Sequence, residues 1–570
     1  MLKGIEAVMM AIGLSVMAAL LVEYGFGWAP VPTSLMHGAE FFAAYVFCGL
    51  QTAKLFFVPA PFRYLAKNWL AFALVFLMLF QLVAGLCVEA TAEYRYLINT
   101  GNKLPLASIS LAFVQCYFLA VAAMESTLLH RLLLRLQLSP APLLATSFAL
   151  LILAGTAALK LPLAAEAATR LSWLDALFTA TSAACVTGLA TVDPGTSLSA
   201  LGQFVLLCLI QLGGLGILSF TAFMAIFSGE GLRESASLKA LFDTDSQSEL
   251  RTFLLRLFAV TFVVEGAGAF LLYNAMQGQV PDPFLRVFHA LFHSVSAFCN
   301  AGFSLYRDSL SAFITAPAVL FVMMGLMLAG AIGYPVLIYL PRTLSRAVRG
   351  KFSKVSSHIK VVLLMNMLLV AAGAALFLFF ENSGTLRGLS ASAKFNAALF
   401  MPITARTTGF QLFDLGGLGL FAILLMVALM FIGGAPASAS GGIKVTAVAV
   451  LWAKAHAGIR GTGELELGGE KIGDSLFAKA TAIAALLIGL AGVASLLLWL
   501  LEPQPYVKTL FEAVSAVNTV GLSMGITPSL APASKLILIL CMFLGRIGPV
   551  LIVVSFNASR PHKKEPILLG

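Results

Sequence analysis

Four glycine-centred segments of this sequence carry similar residues at similar distances. They read CVTGL, CNAGF, RTTGF and NTVGL, and their glycines are Gly188, Gly302, Gly409 and Gly521. The spacings between these glycines are 114, 107 and 112 residues, and a Leu or Phe follows each one directly. Self-similarity at a nearly fixed period indicates an internal fourfold duplication of one structural unit.

The chemistry open to such segments is the binding of a dehydrated cation by backbone carbonyl groups. Glycine reaches left-handed backbone angles at little cost, so it can turn carbonyl oxygens toward a shared axis. Four segments around one axis would provide stacked carbonyl rings that replace the hydration shell of a monovalent cation. The residues predicted to form this filter are Val186, Thr187, Gly188, Asn300, Ala301, Gly302, Thr407, Thr408, Gly409, Thr519, Val520 and Gly521.

Long hydrophobic runs must position these segments. The chain has 570 residues, of which 60% are hydrophobic and only 11% charged, with a mean hydropathy of +0.95. Soluble domains carry about 25% charged residues, so this composition predicts a polytopic membrane protein. The net charge of +10 is then explained by Lys and Arg in cytoplasmic loops, and nucleic-acid binding is not expected.

Each glycine segment follows a short semi-apolar stretch and precedes a long apolar one. The predicted fold is therefore an all-α polytopic membrane protein, with four repeats of long helix, pore helix and long helix in pseudo-fourfold symmetry around a central pore. A four-helix membrane extension is predicted before them, for which a degenerate sensor-like bundle and a role in packing or assembly both stay open. The predicted boundaries are 1–140 for the extension and 142–227, 252–341, 358–454 and 475–557 for the repeats.

Basic residues set the predicted orientation of these helices. The loop from Arg342 to Lys360 and the tail with Arg560, Lys563 and Lys564 join or end the repeats. Loops rich in Lys and Arg face the cytoplasm, so both termini are predicted to be cytoplasmic. The glycine segments would then enter the membrane from the outside.

The pore helices carry a second repeated feature besides the glycines. Phe178, Phe292 and Phe511 each lie ten positions before a glycine, and Leu399 takes that place in the third repeat. In the second repeat, His289 and His293 lie one helical turn apart. Since no Cys or acid is nearby in sequence, we expect packing or hydrogen bonding from them and not metal binding.

Arg406 is unusual because it stands in an apolar repeat only three positions before Gly409. A guanidinium in the ion path would repel cations, so Arg406 is expected behind the filter. Buried charges in membranes need partners, and Glu512 on the fourth pore helix is the candidate. The alternative is that Arg406 reaches outer water and only braces the loop.

Three acidic residues follow the first three filter segments, and the fourth has none. They are Asp193, Asp308 and Asp414. A partial ring of carboxylates at the outer mouth would concentrate cations. The same residues are equally compatible with capping or turning the following loop, and the sequence leaves both open.

The stretch FIGGAPASASGGIK (Phe431–Lys444) interrupts the second long helix of the third repeat. It resembles a phosphate-binding loop, but Ile443 separates Gly442 from Lys444, and no Ser or Thr follows the lysine directly, so we reject that interpretation. Its small residues and low helix propensity predict a non-helical segment inside the membrane, which is tolerated only where protein or a water-filled path surrounds it.

These motifs resemble the Trk/Ktr/HKT superfamily of potassium transporters, and the bacterial Ktr membrane subunit most closely. The resemblance covers about residues 142–557 and includes CVTGL, CNAGF, ARTTGF, NTVGLS, GGAPASASGGIK and MFLGRIGPV. It implies that the Phe431–Lys444 stretch is an intramembrane gate below the filter, with an arginine beneath the filter. The implied gate residues are Gly433, Gly434, Ala435, Pro436, Ser438, Ser440, Gly441, Gly442, Lys444 and Arg546.

The resemblance also implies a function. Glycine in all four filters, Gly188 included, favours potassium uptake across a bacterial inner membrane, and a sodium-conducting or sodium/potassium symporting relative is the alternative. It implies a homodimer in the lipid bilayer on a cytosolic ring of RCK-type nucleotide-binding subunits. This ring would contact the cytoplasmic loops, and the basic loop at Arg342–Lys354 is the first candidate. No cofactor and no catalytic residue are expected in this chain. Potassium would be the transported ion, bound at the four filter glycines, and sodium a candidate activator.

Overall fold

The computed structural model describes residues 140–166, 171–216, 247–348, 356–461, 466–467, 470–471 and 473–558, with scattered positions before residue 73. The chain forms two compact units, and the one considered below comprises Ser139–Phe220 and Ala240–Gly570. The predicted helices of residues 1–140 and most of the basic cytoplasmic loops lie outside the described residues.

The described helices fall into four consecutive sets of long helix, short pore helix and long helix. The first set is α1 (Pro140–Leu159), α2 (Trp173–Ala184) and α3 (Ala200–Leu215). The second is α4 (Gln247–Ala275), α5 (Pro283–Phe298), α6 (Pro317–Ala331) and α7 (Tyr334–Val348). The third is α8 (Ser357–Glu381), α9 (Ala391–Ala405), α10 (Leu420–Phe431) and α11 (Val445–Arg460). The fourth is α12 (Asp474–Leu501), α13 (Tyr506–Val517) and α14 (Pro532–Ala558).

Short elements complete the described chain. Two strands of two residues each, β1 (Glu466–Leu467) and β2 (Glu470–Lys471), form an antiparallel hairpin between the third and fourth sets. Single helical turns follow the filter segments at Pro194–Ser197, Ser311–Phe313, Leu415–Gly417 and Thr527–Ser529.

Several helices are long and apolar enough to cross a bilayer. Among the described residues they are Thr252–Ala275, Ser357–Glu381, Asp474–Leu501 and Pro532–Pro549. The helix α6 and the start of α7 pass the same test of length and hydropathy together, with a bend of 116° between Ala331 and Tyr334. The chain is therefore a multi-pass membrane protein.

Three of the pore helices begin at polar residues that cap their first turn. The Ser172 hydroxyl accepts from the backbone N–H of Asp175, and Asp282 Oδ1 accepts from that of Phe284. Ser390 does the same for α9 by accepting from the N–H of Ala393. Such caps satisfy otherwise unpaired backbone donors and fix the residue at which each helix starts.

The four repeats close into a ring. The second long helix of each repeat packs against the pore helix of the next, which pairs α3 with α5, α6 with α9, α10 with α13, and α14 with α2. At the last of these contacts, Lys535 Nζ lies 2.8 Å from Asp175 Oδ1 and joins the fourth repeat to the first. Consecutive repeats are thus equivalent neighbours around a central axis.

A phenylalanine on each pore helix fills the space behind the ring. Phe178, Phe292, Phe400 and Phe511 are all completely buried, whereas Leu399 is partly exposed. The alignment of Leu399 with the other three phenylalanines is therefore wrong, and Phe400 takes the place. The physical reason is that the third repeat has one residue fewer between this phenylalanine and the glycine, since Phe400 lies nine positions before Gly409.

Candidate functional site

The four predicted filter segments begin where the pore helices end, and their glycines share one backbone conformation. The φ angles are +96° at Gly188, +71° at Gly302, +89° at Gly409 and +96° at Gly521. All four lie in the left-handed region that other residues rarely adopt. The sequence-predicted glycines are therefore required by backbone geometry.

The structure brings these four segments into direct contact as a closed ring. A Cβ atom placed on each glycine would lie 2.2–2.4 Å from the carbonyl oxygen of the residue that precedes the glycine of the next repeat. Going round the ring, Gly188 meets Ala301 O, Gly302 meets Thr408 O, Gly409 meets Val520 O, and Gly521 meets Thr187 O. Because every contact is with backbone, no side chain of any size fits at these positions.

A second strained position precedes each glycine by two residues. Val186, Asn300, Thr407 and Thr519 have φ angles of +58°, +56°, +66° and +50°. A left-handed conformation costs about 1–2 kcal/mol for a residue with a Cβ atom. Left-handed residues thus alternate with residues of ordinary φ along each segment, an arrangement that the residue types did not predict.

A hydroxyl group near the end of each pore helix holds its filter segment, and sequence reasoning missed all four. In the first repeat, the hydroxyl of Ser182 accepts from Gly188 N at 3.0 Å. The main-chain carbonyl of the same serine accepts from Thr187 N at 2.7 Å. The equivalent hydroxyls are those of Ser296, which donates to Phe303 O, of Thr404, which donates to Phe410 O, and of Ser515, which accepts from Gly521 N. The presence of Ser or Thr at the matching place in every repeat was the available signal.

Close contacts between helices press the pore helices against the long helices. A Cβ atom on Gly213 of α3 would lie 2.2 Å from Ala184 O, and the same close approach joins Gly330 to Phe298 O and Gly545 to Val517 O. Gly213 of α3 therefore serves close helix packing.

Arg406 takes the place of this contact in the third repeat, where the long helix breaks after Phe431. Its Nη2 donates to Gly433 O at 2.8 Å and its Nε to Ile432 O at 3.4 Å, and only 2% of the residue is exposed. The guanidinium thus satisfies carbonyls left free at the end of α10. Arg406 lies behind the third filter segment and supports it from the broken helix.

The predicted ion pair of Arg406 with Glu512 is wrong for the described side chains. Glu512 is fully buried and accepts from Ser523 Oγ, Met524 N and Thr527 Oγ1, all in the loop after the fourth filter segment. The two groups fail to pair because each is saturated by its own repeat, Arg406 on its inner side and Glu512 on its outer side.

We expect Arg406→Ala to destabilise the protein because it leaves two buried carbonyls without donors. Each unpaired buried group costs about 1–3 kcal/mol. The midpoint of thermal unfolding in detergent should fall clearly below that of the wild type, while Arg387→Ala, at an exposed arginine, should leave it unchanged. Equal midpoints for the two variants would contradict this role.

The three acidic residues line a cavity of about 570 Å³ whose wall also includes all four predicted filter glycines. Asp193 accepts from Gly195 N and Asp414 accepts from Gly416 N, so both also turn the following chain. Asp308 contributes its main-chain carbonyl to a similar turn by accepting from Ser311 N at 3.2 Å. The side chains of Asp193 and Asp414 therefore meet the capping interpretation, whereas Asp308 takes part in its turn through the main chain.

The interrupted stretch Phe431–Lys444 forms a loop against the inner side of the filter. Two main-chain hydrogen bonds join it to the broken helix of the second repeat. Ala435 N donates to Ala331 O at 2.7 Å, and Tyr334 N donates to Ala437 O at 3.0 Å. A Cβ atom on Gly441 would lie 2.0 Å from Thr519 Oγ1 and 2.6 Å from Asn518 O. The loop therefore touches the fourth filter segment directly.

Side chains fix the loop to the filter and to the helices around it. The amide of Asn300 and the hydroxyl of Ser440 form a hydrogen bond of 2.6 Å, which links the second filter segment to the loop. Lys444 Nζ donates to Ser440 O at 2.6 Å, and the Ser438 hydroxyl donates to Ala435 O.

Arg546 joins the loop to two long helices. From α14, its Nη1 donates to Ala439 O at 2.7 Å, and its Nη2 donates to Gly213 O of α3 at 3.1 Å. The predicted gate residues are thus brought together in one contiguous assembly beneath the filter.

The two histidines are hydrogen-bonded, as the sequence predicts. His289 Nδ1 lies 3.0 Å from the Tyr306 hydroxyl, and His293 Nε2 lies 3.0 Å from Ser304 Oγ. Within the described residues, no group of three or more His, Cys, Asp or Glu side chains could hold a metal ion.

Comparison with known proteins places this site in a family. The TrkH family, described as "Cation transport protein", matches residues 110–565. Ktr system potassium uptake protein B of Bacillus subtilis is 35% identical over 422 residues, which cover 73% of this chain and 93% of that protein. The protein of the same name from Vibrio alginolyticus is 36% identical over 406 residues, covering 70% and 86%.

Two further similarities extend the comparison. The potassium/sodium uptake protein NtpJ of Enterococcus hirae is 33% identical over 454 residues, covering 76% of this chain and 98% of that protein. The crystal structure of the potassium transporter TrkH from Vibrio parahaemolyticus matches with a TM-score of 0.57 at 18% identity, covering 87% of this chain and 98% of that one. It confirms the predicted fold class.

These relatives are transport proteins, which confirms the prediction that the chain is not an enzyme. The match at residues 110–565 spans most of the chain and includes the ring of four glycine segments with the loop beneath it. This chain belongs to the TrkH family of cation transport proteins.

Proposed function

We propose that the chain takes up potassium ions through one pore that runs along the axis of the glycine ring. The observation that carries the proposal is the closed contact of the four glycine segments, each against the backbone of the next. The printed names of the Bacillus and Vibrio relatives, both potassium uptake proteins, support the choice of ion. The pore would conduct ions down their electrochemical gradient.

The filter would consist of Val186–Gly188, Asn300–Gly302, Thr407–Gly409 and Thr519–Gly521. A chain in which left-handed residues alternate with others turns successive carbonyls to one side, and the φ angles of these segments alternate in that way. Such carbonyls would replace the hydration shell of potassium at the four glycines. Arg406 and Glu512 would support the filter from its inner and outer sides.

The gate would be the loop Gly433–Lys444 together with Arg546. Its position against Thr519 and Asn300 supports a barrier directly below the filter. The guanidinium of Arg546 and the ammonium of Lys444 would oppose a cation there. Opening would require the loop to leave the carbonyl contacts described above.

The outer mouth would attract cations to the filter. Asp193, Asp308 and Asp414 line the cavity in which all four glycines lie. Carboxylates around a narrow entrance raise the local concentration of cations. Their effect would weaken at high ionic strength because salt screens exposed charges.

The chain would work as a homodimer in the bacterial inner membrane, with both termini cytoplasmic. We also propose a cytosolic ring of RCK-type nucleotide-binding subunits as the regulatory partner. Its contact would be the basic segment that begins at Arg342 on α7. The bend of 116° before α7 supports this position of the contact, because it turns α7 away from the direction of α6. Sodium would act as an activator in this arrangement.

The test is potassium uptake by cells that lack their own uptake systems. Wild-type protein should restore growth and uptake at low external potassium, with the regulatory partner supplied. Gly188→Ser should abolish this rescue or shift transport toward sodium, because its Cβ atom would lie 2.4 Å from Ala301 O. Failure of the wild-type protein to restore growth and uptake, with the regulatory partner supplied, would contradict potassium uptake.

A sodium-conducting or sodium/potassium symporting transporter is the second candidate, favoured by the name of the Enterococcus relative, a potassium/sodium uptake protein. Competition between the two ions separates the candidates. Sodium that inhibits potassium uptake at equal concentration would favour a sodium conductor, and sodium entry coupled to potassium entry would favour a symporter. Potassium uptake that is neither inhibited nor accompanied by sodium would favour the first candidate.

A further inference from the structure

One position on the pore helices differs between alternate repeats. It lies three residues before the anchoring Ser or Thr hydroxyl and is occupied by Thr179, His293, Met401 and Glu512. All four residues are completely or almost completely buried behind the filter. The two ionisable ones belong to the second and fourth repeats, which lie opposite each other in the ring.

In the fourth repeat, Glu512 binds the chain just beyond the filter glycine. Its Oε1 accepts from the hydroxyl of Ser523, two residues after Gly521, and from the N–H of Met524 at 3.1 Å. Ser523 Oγ in turn accepts from Gly525 N at 3.0 Å.

In the second repeat, His293 contacts the equivalent serine hydroxyl and main-chain N–H with a different chemical group, whereas Glu512 alone also accepts from a threonine, Thr527. Its Nε2 pairs with the hydroxyl of Ser304, two residues after Gly302, and accepts from Leu305 N at 3.4 Å. Ser304 Oγ in turn accepts from Tyr306 N at 3.1 Å. Since Nε2 accepts, Nδ1 carries the proton and donates to His289 O at 2.7 Å.

The first and third repeats lack this brace. Thr179 Oγ1 is buried without a hydrogen-bond partner in the described structure, and Met401 has no polar hydrogen to offer. The residue two after the glycine is Ala190 in the first repeat and Gln411 in the third. Gln411 depends on its neighbours instead, since its Nε2 donates to Ser523 O at 3.1 Å and its N–H to Ser309 Oγ at 3.0 Å.

Beyond the glycines, the filter segments are therefore braced by a pore-helix side chain along one diagonal of the ring and not along the other. We propose that His293 and Glu512 are positioning residues that set the selectivity of the filter for potassium over sodium. This inference rests on the proposed function. In the snug-fit account of selectivity, a carbonyl ring favours the larger ion because it resists contraction around the smaller one. The two braces fix the outer ends of opposite segments and so limit that contraction.

The experiment measures the ratio of potassium to sodium uptake in the rescued cells. The variants are His293→Ala and Glu512→Ala, and the matched control is Thr179→Val, at the same position of an unbraced repeat. Each alanine variant should lower the ratio by about tenfold, as expected from the loss of hydrogen bonds to a buried polar or charged group. Thr179→Val should keep the wild-type ratio.

Glu512→Gln separates positioning from charge, because its amide oxygen still accepts from Ser523 and Met524 and should restore the ratio. A ratio measures selectivity independently of the amount of protein, so reduced folding does not imitate the effect. Where an alanine variant fails to reach the membrane, Ser523→Ala and Ser304→Ala remove the hydroxyl contact of each brace from the loop side and should also lower the ratio.

Wild-type ratios in all of these brace variants, or an equal drop in Thr179→Val, would overturn the inference while leaving potassium uptake intact. Absence of potassium uptake by the wild type would instead contradict the proposed function. The two failures are therefore distinguishable.

Discussion

Potassium uptake should be lost when Gly521 is replaced by alanine. The added Cβ atom would lie 2.2 Å from Thr187 O, and the φ angle of +96° is itself unfavourable for alanine. Because the neighbouring atom belongs to the backbone of the next filter segment, this steric clash can be relieved only if the ring itself opens. We expect uptake in the rescue strain to fall to the level of cells without the transporter.

Gly525 provides a matched control only four residues away. Its φ angle is +82°, but nothing lies within 4 Å of the position that its Cβ atom would occupy. Both alanine variants therefore carry the left-handed strain of about 1–2 kcal/mol, and only Gly521→Ala also meets a neighbouring carbonyl. Retained uptake in Gly525→Ala beside lost uptake in Gly521→Ala would isolate the ring contact, and equal behaviour of the two would refute it.

The four glycines of the ring were predictable because only one residue type meets the requirements of their positions. Gly188 and Gly521 need both a left-handed backbone and the absence of a side chain, and only glycine supplies the two together. A composition of 60% hydrophobic residues likewise predicts membrane helices without knowledge of their packing. These features are local, so the sequence contains them in readable form.

The strained positions before the glycines were not predictable in the same way. Val186 and Thr519 are β-branched residues, which ordinarily avoid positive φ angles, yet they have φ of +58° and +50°. Their conformation is imposed by the pore helix on one side and the closed ring on the other. Such tertiary constraints override local preference and leave no trace in residue type.

The prediction of a partner for Arg406 was wrong for a related reason. The sequence places a buried cation and a buried acid in adjacent repeats, and pairing of Arg406 with Glu512 follows from charge alone. In the structure, Arg406 instead reaches the free carbonyls of Ile432 and Gly433, where the long helix breaks. Main-chain acceptors at a helix break are invisible to an argument based on side-chain charges.

Uptake should become faster when Arg546 is replaced by alanine. The change removes the donors to Ala439 O and Gly213 O, at 2.7 and 3.1 Å, and a positive charge below the filter. Hydrogen bonds from a charged group contribute about 1.5–3 kcal/mol each, so the closed arrangement of the loop should lose at least about tenfold in relative population. The initial rate of potassium uptake should rise, with little change in the potassium concentration that gives half the maximal rate.

Arg546→Lys separates charge from hydrogen bonding, because an ammonium keeps the charge but lacks the planar fork that reaches two carbonyls. Wild-type rates in Arg546→Lys would show that charge is the main barrier, and rates like those of Arg546→Ala would show that the two bonds hold the loop. Lys535→Ala, at the outer end of the same helix, disrupts only the pair with Asp175 and should not accelerate uptake. Unchanged or reduced uptake in Arg546→Ala, with normal amounts of protein in the membrane, would contradict a role in closing the pore.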